Sequence, residues 1–117
     1  MKRFLAKVEP WTYMAMRIVA GVLFACHGAQ KLLGVFGGQK MALVSKFGLA
    51  GVIELFGGLL IAVGLFVSPV AFLASGEMAY AFFTLHLPRG VVPIQNGGEL
   101  AALYCFVFLY IAARGRR

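Results

Sequence analysis

Three glutamates, Glu54, Glu77 and Glu99, lie in or at the edge of long apolar runs, and they are three of only four acidic residues in a chain without aspartate. A carboxylate at bilayer depth is costly unless it is paired, hydrated or protonated, so such a residue marks function or a specific contact between helices. Candidate partners for Glu54 stand at the end of the first apolar run: His27, Gln30 and Lys31, with His27 and Lys31 one helical turn apart on one face. Glu54 itself falls about six residues, or roughly 9 Å, inside the start of the second run. Cys26 and Cys105 fall within about a residue of that depth. His86 ends the third run, and Asn96 and Glu99 open the fourth. One layer could therefore hold Cys26, His27, Glu54 and Cys105 and bind a headgroup, a quinone ring or a proton. The candidate ligand-binding or proton-path residues are His27, Gln30, Lys31, Glu54, His86, Asn96 and Glu99.

Each of these residues also has a purely structural reading. Glu99 follows Asn96 at the spacing of a capping box, in which the acid bonds back to the cap amide. His86 and Lys31 suit snorkelling toward an interface. His27, beside Gly28, suits a hydrogen bond between helices. Arg17 and Glu77 share a depth in the other half of the membrane, which predicts a structural ion pair between them. The two cysteines lack Cys-x-x-Cys or His/Cys ligand spacing and give no zinc, haem or cluster signature, so no metal site is expected. A redox pair of Cys26 with Cys105 would need Cα atoms within about 7 Å; the alternative is two small buried apolar residues. The chain has no nucleotide-binding glycine loop and no serine–histidine–acid arrangement.

The elements that must position these groups are membrane helices. The chain is 62% hydrophobic and 13% charged, with a mean hydropathy of +0.89, where soluble domains carry about 25% charged residues. Four apolar stretches approach the length of about 20 residues that spans a bilayer: 12–33, 48–67, 70–87 and 98–113. The expected architecture is all-α, one membrane domain over 1–117, a four-helix up-down-up-down bundle with a tight turn at Ser68-Pro69. The charge of +7 is concentrated in Lys2, Arg3, Lys7, Arg114, Arg116 and Arg117. That distribution predicts both termini in the cytoplasm and contact with anionic lipid, not nucleic acid. The first run is long for a cleavable signal and lacks a small-residue cleavage site. Met41, Leu43 and Val44 suggest a short interfacial turn in the first outer loop. Glycines at 21, 28, 51, 57, 58 and 64 mark close helix packing. A faint repeat places a histidine and a glutamate toward the outer side of each hairpin, His27 with Glu54 and His86 with Glu99.

Three strings, HGAQKLLG (27–34), GVIELFGGLLIAVG (51–64) and NGGELAALYCFVFLYIAARG (96–115), closely resemble the DoxX family. The resemblance spans nearly the whole chain, although many relatives continue with a tail carrying a Trp-Ser-hydrophobic-Asp element where this sequence has Arg116-Arg117. It implies a multi-pass protein of the bacterial inner membrane, a subunit of an oxidoreductase in a family that includes DoxD, of a thiosulfate:quinone oxidoreductase, and MauE, linked to methylamine dehydrogenase maturation. It implies redox or sulfur chemistry beside a partner enzyme or within a larger membrane complex, and it transfers no catalytic residue. No cofactor motif is evident; a quinone is the cofactor the layer around Glu54 suits. The expected function is thus a membrane subunit of a redox system that binds a quinone or similar lipid-soluble partner. The alternatives are a non-catalytic scaffold or assembly factor, and a small-solute or proton transporter, for which four short helices leave little room without homo-oligomerisation.

Overall fold

A computed structural model describes residues 1–35, 37 and 46–116. The described chain is all-helical: α1 (Lys2–Leu33), α2 (Lys46–Val63), α3 (Val67–Ala81), a short α4 (Pro93–Asn96) and α5 (Glu99–Arg114). It divides into two compact units, Met1–Leu65 with Arg116–Arg117, and Phe66–Gly115. The turn expected at Met41, Leu43 and Val44 lies outside the described residues.

Helix α1 begins ten residues before the expected start at Thr12, with Pro10 inside it. A hydropathy scan stops where the apolar run stops, whereas Lys2–Glu9 are polar or mixed residues that a helix accepts readily. In the first unit α1 packs against α2. The pair is antiparallel, because Gly21 of α1 meets Gly58 and Ala62 while Gly28, farther along α1, meets Gly51 and Leu55. Gly21 and Gly28 are two turns apart, as are Gly51 and Gly58, so each pair keeps to one face of its helix. A Cβ on Gly21 would lie 2.6 Å from the Gly58 carbonyl oxygen, and one on Gly28 would run into the Leu55 amide nitrogen. These helices touch backbone to backbone, and glycine is what permits it.

The turn after α2 falls at Gly64, not at the expected Ser68-Pro69. Gly64 has φ of +88°, and the Gly64 and Leu65 amides both donate to the Leu60 carbonyl, a glycine-dependent helix stop. Ser68 and Pro69 instead occupy the first turn of α3, where a proline's missing N–H costs nothing.

In the second unit α3 packs against α5. The Ser68 hydroxyl donates to the Ala112 carbonyl at 2.8 Å, and the Ser75 hydroxyl to the Cys105 carbonyl at 2.7 Å. The falling register makes this pair antiparallel too. Beyond Ala81 the helix widens into a π turn, Phe82–His86, and then tightens to a 3-10 turn, Leu87–Arg89. Pro88 has no amide to bond the Thr84 carbonyl, so an α-helical ladder cannot continue there. The Leu87 amide reaches back to Phe82 instead.

Candidate functional site

Helix geometry aims Lys31 and Glu54 at one another. Side chains lean toward the N-terminus of their own helix, so on an antiparallel pair Lys31 leans back along α1 while Glu54 leans the opposite way along α2. Gly28 and Gly51, each one turn earlier in sequence, bring the two backbones close enough for the side chains to meet. Lys31 Nζ lies 2.5 Å from Glu54 Oε2. The pair is asymmetric in exposure: the Lys31 side chain is 29% exposed and Glu54 only 1%. Among the described residues Glu54 Oε1 has no hydrogen-bond partner, although it is buried. An unsatisfied buried acceptor costs about 1–3 kcal/mol, more when it carries charge.

The other sequence candidates fall in different places. Within the first unit, His27 is exposed and Gln30 half-buried, both within a turn of Lys31. Cys26 is a half-buried free thiol. The second unit holds His86, Asn96, Glu99 and Cys105. Asn96 is 1% exposed and ties the segment after α3 together: its Nδ2 donates to the Gly90 carbonyl at 2.8 Å, and its Oδ1 accepts from the Gly98 amide at 2.7 Å. His86 Nδ1 lies 3.3 Å from the Asn96 carbonyl oxygen. A carbonyl only accepts, so Nδ1 is the donor and Nε2 keeps its lone pair when the ring is neutral. Cys105 is also free, its sulfur 3.6 Å from the Ser75 hydroxyl.

The capping box read from Asn96 and Glu99 is not formed. Gly98 is the residue that precedes α5, Asn96 closes its own turn onto the Gly98 amide, and Glu99 is exposed in the first helical turn. There it still complements the positive end of the helix dipole.

Arg17 has a role that sequence reasoning missed. It is 6% exposed, and its Nη1 donates to the carbonyls of Ile61 at 2.5 Å and Ala62 at 3.1 Å. These belong to the last turn of α2, whose carbonyls lack partners within the helix and carry the negative end of its dipole. Arg17 therefore caps α2 from a neighbouring helix. Glu77, its expected partner by depth, is half-buried on α3 in the other unit. The available signal was the Gly64 stop, which fixes where the exposed carbonyls must be. Arg17→Leu is expected to cost about 2 kcal/mol, the scale of hydrogen bonds from a charged donor. Denaturant titration in detergent micelles checks this, and Arg17→Lys should recover only part because one ammonium does not reproduce the guanidinium fork.

Large apolar side chains face outward all along these helices, among them Leu23, Phe56, Leu59, Phe72, Phe83, Leu103 and Phe106. Lys2–Leu33 and Val67–Arg89 are long and apolar enough to cross a bilayer, and Gly48–Val63 is a shorter apolar helix. An all-helical chain that turns its large apolar residues outward and holds its buried charges between helices is a membrane protein. It belongs to the DoxX family, whose profile matches residues 12–87. It is 42% identical to an uncharacterized protein of Haemophilus influenzae, an alignment covering 95% of this chain and 88% of that protein. No solved structure matches the chain.

Proposed function

We propose that the protein is a multi-pass subunit of a bacterial inner-membrane redox system, with α1, α2, α3 and α5 each crossing the bilayer and both termini cytoplasmic. It binds a quinone, in one or both redox states, or a similar lipid-soluble ring where Lys31 meets Glu54, and it serves a partner enzyme that carries the catalysis. One observation supports this above the rest: Glu54 is a carboxylate buried between apolar helices with one oxygen unmatched by any described residue. A ring of this kind needs an apolar slot and one or two polar contacts, and Lys31 and Glu54 supply a donor and an acceptor side by side. His27 and Gln30, within a turn of Lys31, would line the approach.

Binding of duroquinone and of its hydroquinone to the purified full-length protein tests the reading. Glu54→Leu, which removes the carboxylate but keeps an apolar side chain, should weaken the tighter-bound form at least about tenfold, the equivalent of one charge-assisted hydrogen bond. Unchanged affinity for both forms would remove Glu54 from the site.

A scaffold role is favoured by a different observation, that Arg17 and Lys31 both fasten α1 to α2. On that reading Glu54→Leu leaves the redox activity of the membrane intact, and deletion of the protein depletes a partner enzyme from it.

A further inference from the structure

We infer that the site at Glu54 selects the reduced, hydroxyl-bearing form of its ring ligand over the oxidised carbonyl form. The inference rests on the proposed quinone-type reading and sharpens it to a redox state. With Oε2 held by the Lys31 ammonium at 2.5 Å, the carboxylate presents only acceptors. Its other oxygen is buried and has no donor among the described residues. What the protein lacks there is an O–H or N–H group. A quinone offers carbonyl oxygens, which are acceptors, and two acceptors facing each other in an apolar setting repel. A hydroquinone offers a hydroxyl that donates to Oε1, and the oxygen of that hydroxyl can in turn accept one of the remaining Lys31 N–H groups.

Proximity makes the second contact reasonable. Lys31 keeps 29% of its side chain exposed, and an ammonium has three donors, of which the contact with Glu54 uses one. Gly28 and Gly51 hold the two helix backbones in contact beside the pair, so the approach to it is from the partly exposed Lys31 side, and the Leu32 side chain supplies apolar surface against Gly51. Selection of the reduced form also has a thermodynamic consequence. Every tenfold preference for the hydroquinone raises the two-electron potential of the bound couple by about 30 mV, so the site holds reducing equivalents in place instead of passing them uphill.

The experiment compares duroquinol, under anaerobic conditions, with duroquinone on the full-length protein in detergent. The wild-type protein should bind the hydroquinone at least about tenfold more tightly than the quinone. In Glu54→Gln the amide brings its own N–H group, so the preference should collapse toward unity or reverse. The wild-type ratio needs no variant and stands even if Glu54→Gln folds poorly. Glu54-dependent binding of both forms with equal affinity, or tighter binding of the quinone, would overturn the inference while leaving the ring-binding reading in place. Absence of binding by either form, or binding that Glu54→Leu leaves unchanged, would overturn both and assign the free oxygen to a bound water.

Discussion

Replacing Lys31 by methionine should destabilise the protein by about 3 kcal/mol, within the range for breaking a buried ion pair by removing one partner. The loss comes less from the missing attraction than from what remains. Glu54 is 1% exposed, and without Lys31 its carboxylate sits between apolar helices with neither oxygen matched among the described residues. The value lies at the low end of that range because Lys31 is itself part-exposed and its charge is only partly removed from water. The double variant Lys31→Met/Glu54→Gln should recover most of the stability, since a neutral amide costs far less to bury than a carboxylate. Thermal or denaturant unfolding in micelles measures both, and a double variant no more stable than Lys31→Met would show that the lysine stem, not its charge, matters. The same three proteins, wild type included, separate structure from binding: recovery of stability without recovery of hydroquinone affinity is expected.

Gly28→Ala should be about as damaging, near 3 kcal/mol, the upper end for overpacking a close-packed core. A methyl group on Gly28 would collide with the Leu55 amide nitrogen and lie 2.6 Å from both the Gly51 carbonyl oxygen and Leu55 Cα. All three are backbone atoms, so no rotamer change relieves the clash and the helices must part. Gly76→Ala is the matched control, because a Cβ on Gly76 meets nothing within 4 Å. That substitution should be neutral or stabilise by up to about 1 kcal/mol through the ordinary helix preference for alanine. Equal effects at the two positions in a micelle unfolding assay would mean that contact across the glycine seam contributes nothing. Because Lys31 follows Gly28 by less than one turn, Gly28→Ala should also weaken the Lys31–Glu54 contact.

The Lys31–Glu54 contact was legible because depth in a membrane helix is a matter of counting residues, and an acid near Lys31 in that count has few alternatives. The all-helical class and the start of α5 near residue 98 were legible for a similar reason, from apolar run lengths. Where the sequence misled, backbone chemistry decided. Gly64 ends α2 because a left-handed residue stops a helix more cleanly than a proline, and Pro69 is welcome in the first turn of the next one. Helix α1 extends back to Lys2 because hydropathy locates lipid, not helix ends. Charge and depth in the sequence point from Arg17 to Glu77, and they do not show the bare carbonyls at the end of α2 that Arg17 also bonds. Asn96 and Glu99 have the spacing of a capping box, but after the consecutive Gly97-Gly98 pair the helix starts at Glu99 itself, so the acid stands at the first helical position and not at the third. The seven-residue spacing of Gly21 with Gly28 and of Gly51 with Gly58 was in plain view, but its meaning depends on the two pairs facing each other.

The α1–α2 pair is fastened twice, by Arg17 at the last turn of α2 and by Lys31 at Glu54, midway along it. The two fasteners sit on the same helix, about 21 Å apart at the usual rise per residue. In mechanical terms this is a beam clamped at two points: the helices cannot slide past one another without breaking a clamp. The clamps differ, however. Arg17 grips fixed backbone, whereas Lys31 grips a side chain that a ligand can also address. A ligand that draws Lys31 toward itself would release one clamp only, leaving Arg17 as a pivot about which the two helices splay.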